Sequence, residues 1–276
     1  MDEQFSRFAR LVGEDGVSAL HRAGVAVFGL GGVGSFCAEA LARSGVGRLL
    51  ICDADTVDVT NINRQAIAYL STVGQRKVDL VAARARDISP DILLDTRPVW
   101  YDAESAPDFD LSGYDFVVDC VDTVSAKLLL AERCRDSGTP LIMCMGTGNK
   151  LDPSRLQITD ISKTHTCPLA KVMRRELKAR GILHLPLLFS DEPPIAVGGR
   201  TPGSSAFVPS SAGLMLAGYV VRSLLERHAA EAAAVSAGDG GEAASVGEKA
   251  CVGAASVGAE ACAGTATGAS AEPSES

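Results

Sequence analysis

The sequence predicts an α/β fold, a Rossmann-like doubly wound sheet with a C-terminal extension. Three observations carry that expectation. A short, wholly apolar run, VAVFGL, leads directly into a glycine loop, GLGGVG at 29–34, and then into a helical pattern. Four further apolar runs follow at intervals, each separated from the next by a helical or loop-like stretch. Apolar residues make up 46% of the 276 residues and charged residues 22%, enough for a substantial core.

The elements follow in order. Residues 4–23 read as an amphipathic helix, with Phe5, Phe8, Leu11 and Val12 at helical spacing. Gly24 opens the first strand, and SFCAEALARSGV is a helix that ends at Gly45. RLLICDAD is the second strand, with acids at its carboxyl end. QRKVDLVAARARDI is helical, ILLDTRPV is a third strand and DFVVDCVD a fourth, again ending in an acid. Ser125–Ser137 is a helix, and PLIMCMG a fifth strand. In such sheets ligands gather at the carboxyl ends of the strands, where Gly29, Asp53, Asp55, Asp119 and Asp122 would meet.

Beyond residue 150 the alternation weakens. LQITDIS reads as a strand, KVMRRELKAR as a basic helix, DEPPIAVGGRTPGSSAFVPS as loop, and residues 211–227 as helix. The expected organisation is therefore a nucleotide-binding region over 1–150, a substrate-binding part of the same fold over 151–228, and a disordered tail over 229–276. That tail is Ala, Gly, Ser and Glu with an imperfect repeat, ASVGEKAC and ASVGAEAC, and no aromatic residue.

Net charge is −8, but the tail holds seven acids against Lys249 and so carries −6 of it. The remainder is nearly neutral, which excludes a strongly basic nucleic-acid binder and leaves only a local patch for RNA. The eight cysteines form no C-x-x-C pair, so neither a zinc ribbon nor a thioredoxin-like motif is present. The opening MDEQFSRFARL has no apolar secretory core, and a reducing cytoplasm is the expected compartment. The apolar run SAGLMLAGYVVRSLL is interrupted by Arg222 and reads as a buried helix, with no membrane expected as a partner.

Gly29, Gly31 and Gly34 in a G-x-G-x-x-G frame, with Asp53 about 20 residues on, fit a dinucleotide site as well as a mononucleotide one. Three further residues favour ATP held for reaction. Arg64 and Lys77 follow the second strand, and cations clamp the charge that builds on a leaving pyrophosphate. Asp122, at another strand end, is a suitable Mg²⁺ ligand, because Mg²⁺ takes one or two carboxylates together with phosphate oxygens.

At this point the chain resembles the E1-like superfamily of ATP-dependent adenylating enzymes, related to the ubiquitin-activating enzymes. The matching stretches are RFAR at 7–10, GLGGVG at 29–34, DADTVDVTNINRQ at 53–65, GQRK at 74–77 and DCVD at 119–122. The resemblance implies that Gly29, Gly31, Gly32 and Gly34 cradle ATP, that Asp53 binds its ribose with Asp55 close by, and that Arg10, Arg64 and Lys77 contact its phosphates near Asn61. It also implies that Asp122 holds Mg²⁺. The arginine matching Arg10 often serves the other subunit's site in this family, which implies a homodimer.

The second half, TDISKTHTCPLAKVMRRELKARGI at 159–182 and PGSSAFVPSSAGLMLAGYVVRSLL at 202–225, is similar to the tRNA threonylcarbamoyladenosine dehydratases. That family implies ATP-dependent dehydration of the modification, with tRNA carrying threonylcarbamoyladenosine as substrate. It leaves open a monovalent cation and a sulfur-transfer partner of the cysteine desulfurase kind. The alternative is adenylation of the C-terminus of a small ubiquitin-like sulfur carrier, whose enzymes usually bear two zinc pairs absent here. Lys171, Arg174, Arg175, Lys178 and Arg180 form a candidate tRNA patch, to be weighed against a solvated face paired with Glu176. Cys167 is the candidate for a thioester cysteine, against the plainer reading of a core thiol.

Overall fold

A computed structural model describes residues 3–199 and 201–239. Seven strands form one sheet in the order β3-β2-β1-β4-β5-β7-β6. They are β1 (Gly24–Phe28), β2 (Arg48–Cys52), β3 (Leu93–Arg97), β4 (Phe116–Asp119), β5 (Leu141–Cys144), β6 (Leu156–Asp160) and β7 (Pro186–Ser190). All neighbours run parallel except β6, which lies antiparallel to β7 at the edge. The expected doubly wound α/β fold is present.

The helices are α1 (Ser6–Arg22), α2 (Gly34–Arg43), α3 (Lys77–Ile88), α4 (Val124–Ser137), α5 (Pro168–Ala179) and α6 (Phe207–Asp239). One buried cluster packs α2, α3 and α6 against one face of the sheet, and a second packs α4 and α5 against the other. Coverage on both faces explains why β1 is buried at all five positions and reads as an unbroken apolar run. α1 bends at Gly13, whose φ of 78° lies outside the helical region.

Residues 1–150 and the part after them share one sheet, since β7 inserts beside β5, and Met1–Val235 is a single compact unit. The structure departs from the expectations at two places. β7 was not foreseen. Its sequence, PLLFS, is a five-residue apolar run, and periodicity cannot separate such a run from a loop or a helix turn. Finally, α6 starts earlier than 211 and continues to Asp239, past the tail boundary at 229, because AAEAAAVSA is rich in the strongest helix former. The repeat, Cys251 and Cys262 lie outside the described residues. Over Phe207–Val235, α6 is long and apolar enough by composition to cross a membrane, yet half of its most apolar window is buried. Its Val208, Ala212, Leu216 and Val220 are fully buried in the core.

Candidate active site

A cavity of about 590 Å³ opens at the carboxyl ends of the strands. Its floor is the loop after β1. Gly29 holds φ at +85°, and a Cβ there would sit 2.7 Å from the Cys120 carbonyl oxygen, so only glycine fits. At Gly34 a Cβ would fall 1.7 Å from the Gly29 carbonyl oxygen, so α2 starts tight against the loop. The helix N-terminus that follows Gly31, Gly32 and Val33 of the cavity wall is suited to an anion.

Asp53, just past β2, ties this loop in place. One carboxylate oxygen accepts the Leu30 N–H at 2.6 Å and the other the Asp55 N–H at 2.8 Å. Burial pushes the Asp53 carboxyl above its usual range, while nearby Lys77 and the two N–H donors pull the other way. Lys77, the first residue of α3, is almost fully buried, with Nζ 2.7 Å from Asp55 Oδ2 and 3.8 Å from Asp53 Oδ1. Asp55 therefore belongs to the cluster and is not merely a strand-end cap. Asn61 Oδ1 accepts the Asp58 N–H at 3.1 Å in a capping box. Half-buried Arg64 is braced by the Thr60 carbonyl at 2.8 Å and by Asn63 Oδ1 at 3.0 Å.

On the other side of the cavity stands Asp122, in the loop between β4 and α4, exposed and with no hydrogen bond or ion pair among the described residues. Among the described residues no group of three or more His, Cys, Asp or Glu is arranged for a metal. A lone, unpaired carboxylate at the cavity wall is a hard-oxygen donor that suits Mg²⁺ completed by phosphate oxygens.

Asp119 behaves differently. Both it and Lys127 are fully buried, with Nζ 3.1 Å from Asp119 Oδ2. Nζ also donates to the Cys144 carbonyl at 2.6 Å, and Asp119 Oδ1 accepts the Val121 N–H at 3.0 Å. Burial pushes the Asp119 carboxyl up and the Lys127 charge pulls it back. The pair fastens the ends of β4 and β5 and the turn that carries Asp122.

The segment after residue 150 completes the cavity. Thr201, Pro202, Gly203 and Ser204 line it. They are held by Asn149, which donates its N–H to Gly203 O at 2.8 Å and accepts the Gly203 N–H at 2.6 Å, and by Asn63, whose Nδ2 donates to Ser204 O at 3.0 Å.

Of the residues singled out in the sequence, Gly29, Gly31, Gly32, Asp53, Asp55, Asn61, Arg64, Lys77 and Asp122 line the cavity together. Gly34 lies behind it. Arg10 is exposed on α1 and is not part of this cavity within one chain. Cys167 is 4% exposed at the start of α5, a core thiol. The thiols that do line the cavity are unsuited to attack: burial pushes Cys52 up to about 12 and raises Cys144 well above the usual thiol value, and the hydrogen bond with Cys37, together with burial, raises Cys120.

The basic face of α5 is partly spoken for. Arg175 pairs with Glu176 at 2.8 Å, Arg180 with Glu132 and Glu176, and Arg174 donates to the Thr164 carbonyl and hydroxyl. Lys171 and Lys178 are exposed and unpaired among the described residues. Reading the sequence missed Gln65, whose buried Oε1 has no partner at the cavity wall, although it closes the NINRQ stretch. It also missed Lys127, for which no spacing gave a signal, and it found no role for Trp100, the single tryptophan.

Comparison with known proteins agrees with this geometry. Residues 3–238 match the ThiF family. The chain is 47% identical over 244 residues to a tRNA threonylcarbamoyladenosine dehydratase of Bacillus subtilis, covering 82% of this chain and 96% of that protein. The crystal structure of the Escherichia coli tRNA N6-threonylcarbamoyladenosine dehydratase in complex with ATP superposes with a TM-score of 0.77 at 33% identity, over 82% of this chain and 96% of that one. A molybdopterin-synthase adenylyltransferase of Salmonella typhimurium is 37% identical over only 128 residues, 46% of this chain and 51% of that protein. With its glycine loop, its Asp53–Lys77 cluster and a match that runs from the first described residue almost to the last, the chain belongs to the ThiF family.

Proposed function

We propose that this protein is an ATP-dependent tRNA threonylcarbamoyladenosine dehydratase. The observation that carries the reading is the near full-length likeness to the Bacillus subtilis dehydratase, which extends through the segments after residue 150. Relatives on the sulfur-carrier side match less of the chain, 46% for the molybdopterin-synthase adenylyltransferase and 60% for an adenylyltransferase and sulfurtransferase of Candida glabrata at 30% identity. ATP is the reactant, as the E. coli relative's ATP complex and the Arg64 and Lys77 side chains in the cavity support.

The threonylcarbamoyl carboxylate attacks the α-phosphorus of ATP, and the bond to pyrophosphate breaks. The resulting acyl adenylate makes the carboxyl carbon an electrophile. A neighbouring nucleophile of the same modification then closes the ring on that carbon and AMP leaves, so the net loss is one water. Arg64 and Lys77 would stabilise charge on the phosphates, and the α2 N-terminus and glycine loop would hold them in line. Asp53 would take a ribose hydroxyl with its remaining acceptor capacity. Mg²⁺ held by Asp122 would add charge neutralisation on the phosphates. No covalent enzyme intermediate is needed, consistent with cavity thiols kept protonated. Positioning and fixed charge suffice.

The finer assignments follow from the same reading. The tRNA backbone meets Lys171 and Lys178, with Arg174 and Arg175 at the margin. The enzyme works in the cytoplasm as a homodimer in which Arg10 reaches the partner's cavity. A monovalent cation and a cysteine desulfurase partner rest on the family resemblance alone. Incubation with Mg·ATP and tRNA bearing the modification should release one AMP per cyclised nucleoside. AMP release that requires a sulfur-carrier protein instead would overturn the reading. Mixing inactive Arg10→Ala and Asp122→Ala chains should restore activity that neither has alone, whereas a cavity complete within one chain would give none.

A further inference from the structure

Two parts of the cavity wall must stay in register, and one amide side chain touches both. The attacking carboxylate has to meet the α-phosphorus in line, and a misplacement of about 1 Å costs about 10²-fold in rate. The part built from residues 29–77 carries the glycine loop, Arg64 and Lys77. The part built from Thr147, Gly148 and residues 201–204 carries no charged side chain. Its hydroxyls and backbone groups suit the neutral urea of a threonylcarbamoyl substrate.

Asn63 does not line the cavity, and it is exposed on the turn before Arg64. Its Oδ1 accepts from Arg64 Nη1 at 3.0 Å, and its Nδ2 donates to the Ser204 carbonyl at 3.0 Å, 141 positions away in the chain. A guanidinium only donates and a carbonyl only accepts, so the two partners decide which end of the amide faces which. The Thr60 carbonyl takes the other Nη1 hydrogen at 2.8 Å. Nε and Nη2 of Arg64 have no partner among the described residues and are left for phosphate oxygens.

The 201–204 segment is otherwise held from the corner at Asn149, a non-glycine residue at φ 59°. Asn149 makes its two bonds to Gly203 there, and its carbonyl also accepts the Ile195 N–H at 2.8 Å. Among the described residues, Asn63 gives this segment its one hydrogen bond from the ATP-binding part of the wall.

We propose that Asn63 is a positioning residue that couples the phosphate clamp at Arg64 to the 201–204 segment, so that a bound nucleotide sets that segment for the modified tRNA. This role presupposes the dehydratase reading above and deepens it. An Arg64 held by phosphate holds the amide, and the amide holds the Ser204 carbonyl. Single bonds of this kind are worth about tenfold in rate.

Three substitutions in the full chain separate the two ends of the amide. Asn63→Ala removes both bonds. Asn63→Asp keeps an acceptor for Arg64 but sets an oxygen against the Ser204 carbonyl. Asn63→Gln keeps both groups. Mg²⁺ with the non-hydrolysable α,β-methylene ATP should slow deuterium exchange at the 201–206 amides in wild type and Asn63→Gln, and leave it unchanged in Asn63→Ala and Asn63→Asp. With tRNA carrying the modification, kcat for AMP release should fall about tenfold in Asn63→Ala and Asn63→Asp, with KM for ATP within about threefold. Exchange at 201–206 that ignores the nucleotide in wild type would overturn the coupling, as would protection that persists in Asn63→Asp. Wild-type kcat in Asn63→Asp, or a change confined to KM for ATP, would also overturn it and leave Asn63 as a brace of Arg64 alone. Nucleotide-dependent protection that is lost in Asn63→Ala and Asn63→Asp, in a wild-type protein that releases no AMP with the modified tRNA, would keep the coupling and overturn the dehydratase reading.

Discussion

At the end of β2 and again at the end of β4 the chain sets a lysine against an aspartate, and the two pairs do different things. Lys77 meets Asp55 at 2.7 Å with the Asp55 side chain 42% exposed, and both line the cavity. Lys127 meets Asp119 at 3.1 Å with both side chains fully sealed. The chemistry is the same, and access decides the role. A cation at the cavity wall can exchange its carboxylate for a phosphate oxygen. A cation sealed from solvent can only hold its neighbours, and Lys127 holds three: Asp119, the β5 end through Cys144 O and, through Asp119, the turn of Asp122. The wall that carries Asp122 is thus held by a clamp sealed from the cavity.

The sharpest way to break the comparison is to remove one lysine from each pair. Lys127→Ala leaves the Asp119 charge buried without a partner and should cost about 3–5 kcal/mol in urea unfolding. Replacing both partners, Lys127→Met with Asp119→Leu, should recover most of that loss, because the desolvation cost disappears with the charges. A loss below about 1 kcal/mol in Lys127→Ala would mean that the pair does not clamp the site. Lys77→Ala should instead lower kcat for AMP release by about 10²–10³-fold, with a smaller stability change than Lys127→Ala. Asp122→Ala and Arg64→Ala should abolish adenylation while the unfolding midpoint stays within about 0.5 kcal/mol of wild type.

The raised carboxyl of Asp53 sharpens the contrast through pH. It takes up a proton above the ordinary aspartate range, and takes it more readily in the folded chain than in the unfolded one. Falling pH therefore weakens the site's ionised acceptor without this group lowering stability. Asp119, shifted the same way by burial, has the same sign. AMP release should fade between neutrality and the ordinary carboxylate range while circular dichroism still reports the folded chain. Coincident loss of both signals would contradict this. The smallest effect belongs to α5. Lys171→Ala with Lys178→Ala should weaken tRNA binding a few-fold and reduce its salt slope by about two, whereas Arg175→Ala, already paired with Glu176, should change little.

The two pairs also show what a sequence discloses. Lys77 stood out because it closes GQRK after a strand that ends in acids, and Arg64 and Asp122 stood out for similar reasons of order and spacing, while Asn61 came only with the family resemblance. Lys127 did not stand out, since a lysine inside VSAKLLLAERC looks like any solvated helix residue until the turn of α4 places it under β4 and β5. The parallel core was legible from apolar runs buried on both faces, while β7 was too short to separate from the loop around it. The candidate RNA face was only half legible, because whether an arginine on a helix is free depends on neighbours such as Glu132 that are distant in sequence. Trp100 gave no signal by itself.

The most direct test of the dehydratase claim is mass spectrometry of nucleosides from tRNA carrying threonylcarbamoyladenosine after incubation with the purified protein and Mg·ATP. The account predicts that the modified nucleoside becomes lighter by one water, with one AMP formed for each converted residue and no conversion by Asp122→Ala. An unchanged nucleoside mass under conditions where the wild-type chain binds ATP would contradict it.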